Sequence, residues 1–177
     1  MVYFIFLKRR ENAMGIFHRL TKKEKENKKQ KKNELKMKQV DHYFGYLLTI
    51  YNEFADKYAE NEDVKQVLKP YSKEYLTRLE HGIQLTKKAY DKINAIPYVY
   101  DIPKTTQQYM KSSKEQFLMN LENYIKRDEF IKKTILEAGE TGKKIEISDE
   151  FTMPFTVKAQ FHMETATTYM DQARESV

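Results

Sequence analysis

Met37, Val40, Phe44, Leu47, Tyr51, Phe54 and Tyr58 recur at spacings of 3, 4, 3, 4, 3 and 4. An apolar seam sustained in that rhythm commits a segment to an α-helix that buries one stripe against neighbours. Carried backward in the same phase, it meets Asn33, Gln30, Glu26 and Lys23. The apolar stripe therefore begins at Met37, although helix-forming residues continue upstream. Thr21 followed by Glu24 forms a capping box, because the hydroxyl and the carboxylate can each satisfy the other's free amide. Glu24/Lys28 and Glu34/Lys38 have the spacing of helical ion pairs. These signals predict one helix over 21–60, roughly 60 Å long at 1.5 Å per residue. Residues 21–36 lack a core to join and are expected to project about 25 Å past the body.

Asp63 followed by Gln66 places a turn near Asn61 and Glu62, with Pro70 interrupting or kinking the second helix near its start. Leu76, Leu79, Ile83, Tyr90 and Ile93 carry a second helical face to about Asn94. Pro97 and Pro103 bracket Tyr98, Val99 and Tyr100 in a connector over 95–104. A third helix opens on the Thr105–Gln108 box, shows Met110, Phe117, Leu121, Tyr124, Ile131 and Ile135, and is expected to stop at Gly139. Lys144 to Ser148 alternates polar and apolar residues, so 140–152 is expected to be extended. A fourth helix from Pro154 to about Arg174 has a small, partly polar face of Phe155, Ala159, His162, Ala166, Tyr169 and Ala173, and is expected to be the loosest. Only 5 Gly and 4 Pro occur in 177 residues, so the elements must be long. The predicted fold is all-α, a four-helix up-down bundle whose lysine-rich first helix overhangs it. The domain plan is a flexible segment over 1–20, a basic arm over 21–39 and a bundle over 40–177.

Charge follows the same division. Residues 1–39 hold 13 Lys/Arg against 4 Glu, a net of +9, while the remainder holds 19 against 22, a net of −3. The basic pI of about 9.2 thus describes the arm rather than the body. Lys8-Arg9-Arg10-Glu11 reads like a translated purine-rich ribosome-binding site ahead of Met14. Met14 is accordingly an alternative start, and the arm keeps +7 without the residues before it. Val2 to Leu7 precedes the basic residues, the reverse of signal-peptide order. No apolar run reaches the ~20 residues of a membrane span. With no Cys, disulfides and thiolate chemistry are excluded.

Catalytic and metal patterns fail on spacing. HExxH and the Glu-x-x-His of di-iron bundles do not occur, and Glu80-His81 are adjacent, so they point about 100° apart. His42 and His81 lie between seam positions and are expected to face outward; His162 is expected at the core or its rim. Gly139 to Lys144 is too short for a phosphate loop and follows a helix. Gly45 and Gly82 interrupt helical faces, where glycine is tolerated on the surface or marks a close backbone approach. No metal or other cofactor is expected, and neither is an active site.

The predicted function is a non-enzymatic helical interaction protein, an adaptor, scaffold or immunity-type factor, located at the cytoplasmic membrane face by its arm. Arg19, Lys22, Lys23, Lys25, Lys28, Lys29, Lys31, Lys32, Lys36 and Lys38 are the candidate polyanion contacts. Ile16, Phe17 and Leu20 are the candidate membrane contacts. Tyr98 and Tyr100, a loop aromatic pair, are candidate contacts for a protein partner. The composition is also compatible with a homo-oligomer. The alternative is a nucleic-acid-binding accessory protein without sequence specificity. With one Arg and no aromatic between Arg19 and Gln39, such an arm would meet phosphates rather than bases.

Overall fold

The seam at Val40, Phe44, Leu47, Phe54 and Tyr58 is buried, and it lies on the first of four helices in the computed structural model. The backbone is described for residues 2–70, 72–141 and 149–177, and the side chains for 23–70, 72–139 and 150–177. The helices are α1 (Val2–Gln66), α2 (Lys73–Asn94), α3 (Lys104–Thr141) and α4 (Asp149–Glu175), with no strand among the described residues. The chain divides into two compact units, 1–39 and 40–177. The first is helical throughout its described backbone.

The second unit is an up-down-up-down bundle, and its contacts give the directions. Asn61 and Glu53 of α1 meet Arg78 and Lys92 of α2, so the partner number rises as the other falls and the helices are antiparallel. Tyr51 and Tyr58 meet Asn120 and Asp128, so α1 and α3 run parallel. Phe44, Leu47, Ile93, Met110, Phe117, Leu121, Ala166 and Ala173 fill the main core. Full burial of a large apolar side chain contributes about 1.5–3 kcal/mol. Leu79, Ile131 and Ile135 form a smaller cluster.

Helix boundaries differ from the sequence reading in consistent ways. α1 begins before Thr21 and ends beyond Glu60, so neither Thr21 nor Asp63 is a cap. Asn61 and Lys65 are buried on it, and the turn comes after Gln66, with α2 starting at Lys73. Pro70 lies in that connector, where it removes no helical bond. Ser72 is the true N-cap of α2, accepting from the Tyr75 amide at 3.1 Å. The ion pairs expected at Glu24/Lys28 and Glu34/Lys38 do not form, although exposed pairs of the same spacing do form on α3 at Lys111/Glu115, Glu122/Lys126 and Lys133/Glu137; such pairs contribute little to stability. α3 continues through Gly139 to Thr141, so Gly139 does not terminate it. α4 starts at Asp149, and Pro154 lies inside it; carboxylates at 149 and 150 suit a helix N-terminus. The whole alternating stretch from Lys144 to Ser148 lies outside the described residues, whereas 140–141 and 149–152, also expected to be extended, are helical.

The fourth helix is tied to the third by side-chain hydrogen bonds. Thr106, Ser113 and Asn120 of α3 are spaced seven apart, as are Ala173, Ala166 and Ala159 of α4. Ser113 Oγ donates to the Ala166 carbonyl at 3.0 Å and Asn120 Nδ2 to the Ala159 carbonyl at 2.7 Å. Thr106 Oγ1 reaches the Ser176 carbonyl at 3.2 Å. Alanine brings the two backbones close enough for short polar side chains to bridge them. Asn120 also accepts from Tyr51 at 2.9 Å, so one amide ties α1, α3 and α4.

Candidate functional site

The basic arm is a helix from Lys23 onward through Lys38. Lys23, Lys25, Lys28, Lys29, Lys31, Lys32 and Lys38 are exposed and Lys36 is half-buried. At about 100° per residue, Lys25, Lys29, Lys32 and Lys36 fall within roughly 60° of one another and form one stripe. None of these lysines has an ion-pair partner among the described residues. The side chains of Arg19, Lys22, Ile16, Phe17 and Leu20 lie outside the described residues. The described face is thus a row of unneutralised ammonium groups, suited to an extended polyanionic surface rather than to one small anion.

Tyr98 and Tyr100 share a surface groove of about 450 Å³ at the α2–α3 connector, with Lys104, Gln107 and Lys111. They face different environments. Tyr100 is 79% exposed, whereas the Tyr98 ring is half-buried and covers the Lys114 ammonium at 4.7 Å. Lys114 is 3% exposed and donates to the carbonyls of Asn94 at 2.7 Å and Ile96 at 2.8 Å. It therefore closes the carbonyl end of α2 from the neighbouring helix. Burial lowers its pKa. Gln107 donates to the Tyr100 and Ile102 carbonyls at 2.8 and 3.1 Å and holds the loop to α3. Tyr100 is the partner-contact candidate that remains available; Tyr98 is largely occupied with structure.

A buried polar network crosses the other half of the bundle. Asp128 is 1% exposed and accepts from Tyr58 Oη at 2.6 Å and from Arg127 Nε at 3.1 Å. Arg127 also donates to Tyr58 Oη and pairs with Glu62 at 3.5 Å. Glu62 in turn holds Lys65 at 2.5 Å. Burial pushes the Tyr58 hydroxyl far above its ordinary pKa, and the Asp128 charge adds to the effect. Burial disfavours the Arg127 cation, but Tyr58, Asp128 and Glu62 outweigh it, so the guanidinium stays charged. Gly82 makes room for this network. A Cβ there would lie 3.0 Å from Asp128 Oδ2 and 3.2 Å from Asn61 Nδ2. Gly45, with nothing within 4 Å of its Cβ position, is the tolerated surface glycine.

The histidines occupy separate settings. His42 and His81 are exposed, and His162 is half-buried with Nδ1 2.7 Å from Gln116 Oε1. Among the described residues, no three His, Asp or Glu side chains come together as a metal site. Glu80 binds Lys132 and accepts from Gln84 at 3.3 Å. The internal network has every charge neutralised by a neighbour, which suits a structural clamp more than a proton-transfer site. Among the sequence-predicted site residues that are described, the lysines of the arm (half-buried Lys36 apart) and Tyr100 are those whose side chains the fold leaves exposed. Compared with known proteins, the chain matches no protein-family profile, no curated protein and no solved structure.

Proposed function

We propose that this is a non-enzymatic helical interaction protein held at an anionic membrane surface, on the cytoplasmic side, by its basic arm. The observation that carries this reading is the row of exposed, unpaired lysines from Lys23 to Lys38. Each lysine close to an anionic bilayer contributes about 1 kcal/mol, and one apolar anchor beside them turns a weak attraction into stable adsorption. Ile16, Phe17 and Leu20 immediately precede the lysines in sequence and supply that anchor. Among the described residues, no helix is long and apolar enough to cross a membrane, so adsorption is the mode of attachment proposed. The bundle offers the surface on which a protein partner assembles.

Co-sedimentation with phosphatidylserine-containing and neutral vesicles tests the reading. The intact chain is expected to pellet with the anionic vesicles only, and Ile16→Asp combined with Phe17→Asp is expected to release it. Equal pelleting with neutral vesicles would contradict the proposal. So would duplex-DNA binding that survives those two changes and weakens steeply with salt, which is the signature of phosphate neutralisation.

A further inference from the structure

Met153, Val157 and Phe161 follow one another at intervals of four along α4 and are 60%, 58% and 62% exposed. At about 100° per residue they fall within roughly 80° of one another, directly opposite the buried Ala159, Ala166, Met170 and Ala173. α4 thus presents a second apolar stripe that its own bundle does not cover. Such a stripe on the outward face of a helix is an interaction surface.

The charges around it discriminate between occupants. Glu150 and Glu164 are exposed on the same outward face at either end of the stripe, 14 residues or about 21 Å apart. Glu164 accepts from Gln160 at 3.0 Å, and neither acid has an ion-pair partner among the described residues. Farther along lie Asp171, which pairs with Arg174 at 3.5 Å, and exposed Glu175. Lys158 is the only Lys or Arg on α4 before Arg174, and at about 100° per residue it falls on the flank of the stripe. A second copy docked antiparallel about Val157 would set Glu150 against Glu164, and a parallel copy would set each acid against itself. An anionic bilayer would be repelled by the same carboxylates. A helix with apolar residues at four-residue intervals and Lys or Arg at both ends meets neither penalty.

We propose that the outward face of α4 is the docking surface for a basic amphipathic helix of another protein. Its apolar residues pack between Met153, Val157 and Phe161, and its terminal bases pair with Glu150 and Glu164. This rests on the reading of the bundle as a partner-binding module and is independent of the arm.

The probe is a synthetic helix of about 18 residues, long enough to span that 21 Å, with leucines four apart and lysines at each end. Its binding to the full-length chain is followed by anisotropy in the absence of lipid. Phe161→Asp is expected to weaken binding at least tenfold, and Glu150→Lys with Glu164→Lys by about tenfold, with helicity unchanged by circular dichroism. All three sites are exposed, so the substitutions should not unfold the bundle. Binding indifferent to Phe161→Asp, or to the charge reversal, overturns the proposal. A dimer of the intact chain that Phe161→Asp dissociates overturns it as well, because the occupant is then a second copy. Vesicle pelleting lost on Phe161→Asp alone likewise assigns the face to lipid and overturns it. Failure of vesicle binding with peptide binding intact refutes only the arm.

Discussion

Replacing Gly82 and Gly45 by alanine makes the same chemical change at two helix-interior positions with opposite expected outcomes. Alanine is favoured over glycine by about 1 kcal/mol in a helix interior, so Gly45→Ala, with nothing beyond the local helix backbone within 4 Å of the new methyl, should stabilise by about that amount. At Gly82 the methyl would sit 3.0 Å from Asp128 Oδ2, 3.2 Å from Asn61 Nδ2 and 3.4 Å from Tyr58 Cε2. Reaching an ordinary 3.4 Å contact requires the Asp128 carboxylate to retreat by 3.4 minus 3.0, or 0.4 Å. That carboxylate is fixed by Tyr58 Oη at 2.6 Å and by Arg127. Overpacking of this kind costs about 1–3 kcal/mol, so after the helical gain the net loss is about 1 kcal/mol. The two variants should therefore differ by about 2 kcal/mol. With a urea m-value of about 2 kcal/mol/M, their midpoints separate by about 1 M, one above wild type and one below. Urea titration followed at 222 nm measures this. If Gly82→Ala is as stabilising as Gly45→Ala, the close approach around Asp128 is refuted.

Three other predictions address different parts of the bundle. Lys114→Met should cost about 1–3 kcal/mol, since it leaves the Asn94 and Ile96 carbonyls without their buried donor; thermal unfolding would show it. Ala166→Leu should cost a similar amount by forcing α3 and α4 apart and breaking the Ser113 bond, again read from the unfolding midpoint. Tyr43, Tyr51 and Tyr58 all have pKa values raised by burial. The unfolded chain releases those protons first, so stability is full below about pH 10 and falls as pH rises above it. In absorbance titration at 295 nm these three should remain protonated at pH 11 until the chain unfolds, and Tyr58→Phe should reduce the alkaline loss of stability.

The large apolar residues made the four helices legible, and the polar residues hid both their ends and their joints. The seam ending at Tyr58 continues in phase through Asn61 and Lys65, both buried, but Asp63 followed by Gln66 has the spacing of a capping box and so reads as a helix start. Phe117, Leu121, Tyr124, Ile131 and Ile135 likewise leave a place at 128, and the residue that fills it is Asp128. It reads as surface because a buried carboxylate needs partners from other helices, and Tyr58 is 70 residues away. Ser113, Lys114 and Asn120 were hidden for the same reason. The arm was legible from charge alone, since a run of mostly exposed lysines needs no tertiary context to be recognised. The stripe on α4 is not distinguishable in the sequence because that helix carries apolar residues on two faces, and the buried face is lined by the smaller ones.

The most direct test of membrane placement is partitioning onto phosphatidylserine-containing vesicles by the intact chain and by Lys25→Gln, Lys29→Gln, Lys32→Gln together. These three lysines belong to the exposed stripe. At about 1 kcal/mol each near the surface, their loss should weaken partitioning about a hundredfold while leaving helicity unchanged. Partitioning that is unaltered by the triple change would contradict the account.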